Sequence, residues 1–197
     1  MNAAVAIKQM TVEEYFAMED ALTEKHEFID GVVYAMAGAD FPHNQITANA
    51  LVSIGSFLRN SNCRIYGSDL KVAVKTKSAF VYPDLTIICS GAQFFKGKRG
   101  IVTNPSVIIE VLSPDTERYD RGKKFMLYRQ IETVREYILI SSLEVLAERF
   151  AREESGAWTL TEYRRREDEI SIDSISYQTT LAEFYRDVVF EEDNEQL

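Results

Sequence analysis

Histidine, cysteine, proline and tryptophan are scarce in this sequence of 197 residues, which holds two, two, four and one of them. Two histidines, His26 and His43, are too few for a multi-histidine metal cage. Cys63 and Cys89 form no Cys-x-x-Cys pair and stand beside no histidine, which excludes a zinc ribbon and a disulfide-stapled miniprotein. Both are expected as buried free thiols of a protein in a reducing cytoplasm. Long apolar runs are missing too: stretches such as 106–109 and 137–140 fall far short of the roughly 20 residues that span a bilayer. The first eight residues have no basic start and only a short apolar run, so neither a secretory leader nor a membrane partner is expected. No Gly-x-Ser-x-Gly elbow, Walker loop or Gly-x-Gly-x-x-Gly fingerprint occurs, and no organic cofactor is expected. No repeat, low-complexity tract or Pro/Gly/Ser linker interrupts the chain. The expectation is one domain over residues 1–197, its core at about 10–145, with peripheral strands and a closing helix over 146–190.

Apolar residues make up 46% of the chain and charged residues 27%, a globular balance that excludes a disordered or collagen-like protein. The net charge of −9 argues against indiscriminate nucleic-acid binding. That charge is unevenly spread: residues 1–63 carry −5, residues 64–135 carry +6 and residues 136–197 carry −10. A basic middle between acidic ends suits a central segment that faces a polyanion. An unevenly charged solvated surface accounts for it as well.

Local signals outline the fold. Thr11-Val12-Glu13-Glu14 is a capping box and predicts a short helix to about Met18. Asp30-Gly31, set between apolar runs, predicts a β-hairpin. Asp40 or Pro42 opens a helix that ends near Asn60, with Ile46, Ala50, Leu51, Ile54, Phe57 and Leu58 on one face. Residues 64–66, 70–74, 85–89 and 107–112 read as strands, with 78–80 as a hairpin loop before the third. The spacing becomes helical from Arg118 to Ile131, and 137–140 reads as another buried strand. Residues 145–150, 158–163 and 169–172 read as peripheral antiparallel strands, 180–185 as a closing helix and 191–197 as a frayed acidic tail. The predicted class is α/β (α+β), a mixed central β-sheet flanked by helices.

Two acids stand out against this pattern. Asp84 follows Pro83 and opens one apolar strand, while Glu110 lies inside another, Val107-Ile108-Ile109-Glu110-Val111-Leu112. A lone buried carboxylate costs several kcal/mol unless a cation or hydrogen-bond donors compensate it. If neighbouring strands bring Asp84 and Glu110 together, a strand carbonyl completes a hard-oxygen site suited to Mg²⁺ or Mn²⁺. A turn cap at Asp84 and a structural ion pair at Glu110 explain the same residues equally well. Downstream, Asp120, Lys124 and Tyr128 recur every four residues and share a helix face. Lys124 then either turns back toward the strand ends, where an ammonium stabilises phosphoryl charge, or pairs with Asp120 at the surface. His43, at a helix start, is either a phosphate contact or a solvent-facing residue. Glu27 is either a further carboxylate at the metal or an exposed strand residue.

The ordered set Glu27-x-x-Asp30-Gly31, His43, Pro83-Asp84, Glu110-Val111-Leu112-Ser113-Pro114, Asp120-x-x-x-Lys124-x-x-x-Tyr128 and Glu136-Tyr137 resembles the Uma-type endonucleases of the PD-(D/E)xK superfamily. The resemblance spans about residues 10–145. It implies a restriction-endonuclease-like fold and a divalent-metal-dependent endonuclease acting on DNA phosphodiesters. Asp84 and Glu110 match the metal-binding acids, with the Val111 carbonyl and Glu27 as further ligands. Lys124 matches the catalytic lysine, and His43, Lys123 and Tyr128 are assigned to substrate. By analogy the protein is a homodimer. The superfamily usually places its lysine two residues after the second acid, where this chain has Leu112; in the Uma-type pattern a lysine on the following helix stands in. Asp115 and Ile140-Ser141 are smaller departures. A catalytically inactive nucleic-acid- or protein-binding module of the same fold is the alternative.

Overall fold

The Thr11 hydroxyl accepts the Glu14 N–H, and the Glu14 carboxylate accepts the Thr11 N–H at 2.8 Å, so the capping box is closed. It starts α1 (Val12–Glu19), which buries Tyr15. The structure is a computed structural model that describes residues 9–36, 38–74 and 78–190. The first eight residues, expected to hold no leader, and the expected acidic tail lie outside those residues. Asp30 and Gly31, at φ 49° and 89°, make the tight turn between β1 (His26–Ile29) and β2 (Val32–Ala35). Asp40 caps α2 (Phe41–Phe57), its carboxylate accepting the His43 N–H at 2.9 Å. Ile46, Ala50 and Ile54 are buried, but Phe57 is half exposed, because the helix tightens into a 3₁₀ turn that turns Leu58 inward instead.

The central strands are β3 (Cys63–Gly67), β4 (Lys71–Val74), β5 (Ala79–Val81), β6 (Leu85–Cys89), β7 (Phe94–Phe95), β8 (Lys98–Val102) and β9 (Val107–Leu112). A helical segment follows, made of α3 (Glu117–Tyr119), a π turn (Asp120–Lys124) and α4 (Phe125–Tyr128). The chain ends in β10 (Glu136–Ser141), β11 (Ala147–Arg152), β12 (Trp158–Tyr163), β13 (Glu169–Ile172), β14 (Tyr177–Thr180) and α5 (Leu181–Phe184).

These strands form two mixed six-stranded sheets, β2-β1-β5-β4-β8-β7 and β12-β11-β10-β9-β6-β3, plus the ribbon β13-β14. Side-chain alternation assigns the faces. Ile29, Val72, Val81 and Val102 of the first sheet pack against Ile88, Ile108, Leu112 and Leu139 of the second. The outer face of the first sheet, with Phe28, Phe80 and Ile101, takes Tyr15 of α1. The outer face of the second, with Leu85, Ile87, Ile109 and Val111, takes α2 and α5. The chain passes from one sheet to the other at Tyr82-Pro83-Asp84, between β5 and β6.

Two expectations are corrected here. Ala79 and Phe80, expected in a loop, are strand residues paired with β1 and β4, and of the expected loop only Ser78, at φ 43°, stays outside the strand. Cys63 and Cys89, expected as free thiols, are joined in a disulfide. The antiparallel register of β3 and β6 sets the two residues directly opposite one another, a relation that spacing along the chain does not reveal. Among the described residues no helix is long and apolar enough to cross a membrane.

Candidate active site

β6 runs antiparallel to β9 with Leu85 opposite Ile109, and the same register continued by one residue sets Asp84 opposite Glu110. The two acids are brought together. Glu110 Oε2 accepts the Asp84 N–H at 3.2 Å, and Asp84 Oδ2 accepts the Val111 N–H at 2.7 Å. Glu110 alternates with Ile109 and Val111, which face α2, so its own side chain enters the seam between the sheets. Glu27 reaches that seam from β1, on the face opposite Phe28.

Lys124 fills the space between these acids. Its Nζ lies 3.0 Å from Glu110 Oε1, 3.1 Å from Asp120 Oδ1 and 3.6 Å from Glu27 Oε1. Lys124 and all three acids are buried, so an Asp120–Lys124 pair at the surface is excluded. The π turn points both residues inward, and such turns recur at functional sites. Leu112, where the superfamily usually has its lysine, is buried between the sheets instead.

Hydroxyls and amides fix the carboxylates. Tyr128 OH donates to Glu110 Oε1 at 2.8 Å, Tyr119 OH to Glu27 Oε2 at 2.6 Å, and the Tyr82 N–H to Glu27 Oε1 at 2.9 Å. Tyr128 is fully buried behind Glu110, so it orients the carboxylate and presents no free face to a substrate. His43 Nε2 lies 3.2 Å from Asp84 Oδ2, with the ring largely covered. Lys123 is not brought to the acids: its Nζ donates to Tyr34 OH at 2.9 Å and sits over that ring. Glu136 is engaged by Arg149 and by the N–H groups of Asp173 and Ser174, a structural role.

Burial drives the Glu110 carboxyl well above the usual carboxylate range, and the charges of Asp120 and Asp84 add to this against Lys124. Burial likewise raises Asp120. Burial alone would raise Asp84 too, but the hydrogen bond and charge of His43, with Lys124 and the Val111 N–H, bring it below its ordinary value. For Lys124 the loss of water favours the neutral amine, yet Glu110, Glu27 and Asp120 outweigh it and hold the group as an ammonium. His43 is pushed up in the same way: Asp84, with Asp40 and Asp120, outweighs its burial. Four carboxylates thus face one ammonium and one imidazole.

Tyr119 is the contact that the sequence reading passed over. It adjoins Asp120, and on regular helical spacing neighbours point about 100° apart. The π turn that starts at Asp120 is what brings both to the acids, and no sequence signal marks it.

A mixed α/β fold with carboxylates and a lysine at the seam of two sheets defines a restriction-endonuclease-like protein. It superposes with a TM-score of 0.73 on a crystal structure from Anabaena variabilis, described as "a putative nuclease belonging to DUF820". That match covers 91% of this chain and 99% of the other at 15% identity, and so establishes the fold. The chain belongs to the Uma2 family, described as "Putative restriction endonuclease", which matches residues 12–182. Two relatives come from Synechocystis sp. The "Uncharacterized protein slr1290" is 31% identical over 182 residues, 92% of this chain and 94% of the relative. The "Uncharacterized protein sll1609" is 33% identical over 162 residues, 82% and 92% of the two chains.

Proposed function

We propose that this protein is a divalent-metal-dependent endonuclease that hydrolyses DNA phosphodiester bonds. The observation that carries the reading is the meeting of Asp84 and Glu110 beside the buried ammonium of Lys124. Membership of the Uma2 family and the nuclease-like fold support it.

The donor set fits Mg²⁺ or Mn²⁺. Its oxygens are hard, and four carboxylates outnumber the cations among them. Among the described residues no three His, Cys, Asp or Glu side chains close on one point. Asp84 and Glu110 would hold the ion, with the Val111 carbonyl and Glu27 as further ligands. When bound, such an ion neutralises phosphate charge and acidifies water.

The chain's own groups have distinct parts. Lys124, held charged, offers positive charge to the phosphate in the transition state and has no free base to give. Tyr128 and Tyr119 fix the orientation of Glu110 and Glu27. His43 buttresses Asp84 and would contact the phosphate, and Lys123 would supply outer charge. The reading sets the enzyme in the cytoplasm as a homodimer, one site for each strand.

The test is supercoiled plasmid with Mn²⁺ or Mg²⁺, using the wild type beside Asp84→Ala and Lys124→Ala. Nicking by the wild type that needs the metal and is lost in both variants supports the reading. Nicking that survives Asp84→Ala overturns it, and duplex binding without cutting under either metal favours the inactive module.

A further inference from the structure

β7 and β8 form a hairpin whose turn, Lys96-Gly97, has both φ angles positive, at 45° and 75°. Its tip carries Lys96, Lys98 and Arg99 within four positions, all exposed. The 25 positions from Leu85 to Ile109 contain no aspartate or glutamate, in a chain whose acids exceed its bases by nine. Several other surface cations are neutralised locally, Arg164 by Glu162, Arg165 by Asp168, Arg186 by Glu183 and Lys25 by Asp69, whereas Arg59, Arg118, Arg129 and Arg135 stand singly along the chain. Among the described residues Lys96, Lys98 and Arg99 have no carboxylate partner.

The hairpin is anchored at Phe95 and through Lys98, whose ammonium nonetheless has no carboxylate partner among the described residues. The Phe95 ring packs edge-on against Phe80 at 5.0 Å, and Lys98 Nζ sits 4.7 Å over the Phe16 ring. Strand register aims it. β8 is parallel to β4, with Lys71 opposite Ile101, and β4 is antiparallel to β5, with Val72 opposite Val81. Residues before Ile101 therefore extend past the same end of the sheet at which β5 leaves through Tyr82, Pro83 and Asp84. Two strand spacings, about 10 Å, separate β8 from β5. A rigid, unpaired, tri-cationic ribbon beside an acid-lined site has the character of a phosphate-backbone contact.

We infer that the β7–β8 hairpin is a nucleic-acid-binding arm that engages the duplex backbone through Lys96, Lys98 and Arg99. The inference rests on the nuclease reading for the identity of its polyanion. Its energy comes from counterion release, so it is salt-dependent and indifferent to base sequence. It also answers how a chain of net charge −9 approaches DNA: three cations fall together in a stretch of 25 residues that holds no acid.

The experiment is fluorescence anisotropy of a labelled DNA duplex in EDTA, across a salt series. Lys96→Gln/Lys98→Gln/Arg99→Gln is compared with Arg59→Gln/Arg164→Gln/Arg165→Gln, which removes the same charge elsewhere. All substituted side chains are exposed, and thermal unfolding checks that both variants fold. The hairpin variant is expected to bind about tenfold more weakly or worse, with a log–log salt slope smaller by about 2 to 3. The control stays within about twofold of the wild type by the same logic. Equal losses in both variants, no loss in the hairpin variant, or no duplex binding by the wild type overturns the inference. Plasmid cutting is scored separately. A wild type that binds through the hairpin but never cuts defeats the nuclease reading alone, whereas cutting with unchanged kcat/KM in the hairpin variant defeats the arm alone.

Discussion

Asp84 and Glu110 hold one another's strands: the Glu110 carboxylate accepts the Asp84 N–H, and the Asp84 carboxylate accepts the N–H of Val111. Each acid is thereby oriented by the backbone that carries the other, so the pair is preorganised as a unit. Removing either side chain should disable both. Asp84→Ala and Glu110→Ala are each expected to lower plasmid cutting by on the order of 10²-fold or more. Both should also abolish the heat of Mn²⁺ binding in a calorimetric titration. Glu110→Ala additionally strands the Tyr128 hydroxyl and the Asp84 N–H, costing roughly 1–3 kcal/mol for each buried group left unpaired. Full Mn²⁺ binding by either variant would place the metal elsewhere.

Lys124 is the sole ammonium in contact with Glu27, Glu110 and Asp120 among the described residues. Lys124→Met keeps the apolar stem and deletes the charge, leaving three buried carboxylates uncompensated. Breaking such a cluster costs roughly 3–5 kcal/mol, or about 10 °C in Tm for a chain of this size. Because the acids then repel one another, added Mn²⁺ should raise the Tm of this variant by more than that of the wild type, while cutting stays lost. Differential scanning calorimetry with Mn²⁺ and with EDTA makes the comparison. An unchanged Tm in EDTA would mean that the acids are protonated and need no cation.

What could be read beforehand divides by range. The Thr11–Glu14 box and the Asp30-Gly31 turn were legible because their signals lie within four residues. That Glu110 needs a partner was legible because a lone acid inside an apolar strand is costly, but whether Asp84 or a lysine supplies it stayed open. Lys124 was ambiguous, since a spacing of four serves an exposed pair and a buried one alike. The Cys63–Cys89 pairing depends on the register of β3 against β6, which no local residue encodes. β5, β7 and β8 escaped because they are short or rich in glycine and lysine, and tertiary packing on Phe16 and Phe80 outweighs their weak propensity.

The Cys63–Cys89 bond closes a loop of 26 residues that holds β4, β5 and the Asp84 crossover. Closing a loop of that length in the unfolded chain is worth about 3 kcal/mol. Cys63→Ser/Cys89→Ser, and equally the wild type in reductant, should therefore melt about 6–12 °C lower. Both cysteines sit at the end of β6 remote from Asp84, so metal-dependent cutting at low temperature should persist. Identical melting curves with and without reductant would show that the bond contributes nothing to stability.

The buried tyrosines make the protein sensitive to alkali, and the sign can be worked out. Burial raises Tyr15, Tyr82, Tyr128, Tyr137 and Tyr185 above the ordinary phenol value, with carboxylates such as Glu19 and Glu110 pushing the same way. In the unfolded chain each ionises near pH 10. The native state therefore binds these protons more tightly, and its stability is fully present below about pH 10 and lost as pH rises beyond it. Lys71 works in the opposite direction. Burial holds its ammonium below the ordinary value against Glu19, so the folded form releases that proton first and gains stability just below about pH 10.4. These phenols, joined by Tyr119, Tyr177 and the ammonium of Lys124, all raised as well, outweigh the one lowered amine. The denaturation midpoint should fall steeply above about pH 10, with tyrosinate absorbance rising in the same transition as unfolding. Tyr82→Phe, which removes one phenol near the surface of α1, should make the fall shallower. Absorbance that climbs gradually while the fold stays intact would mean that these hydroxyls reach water in the native state.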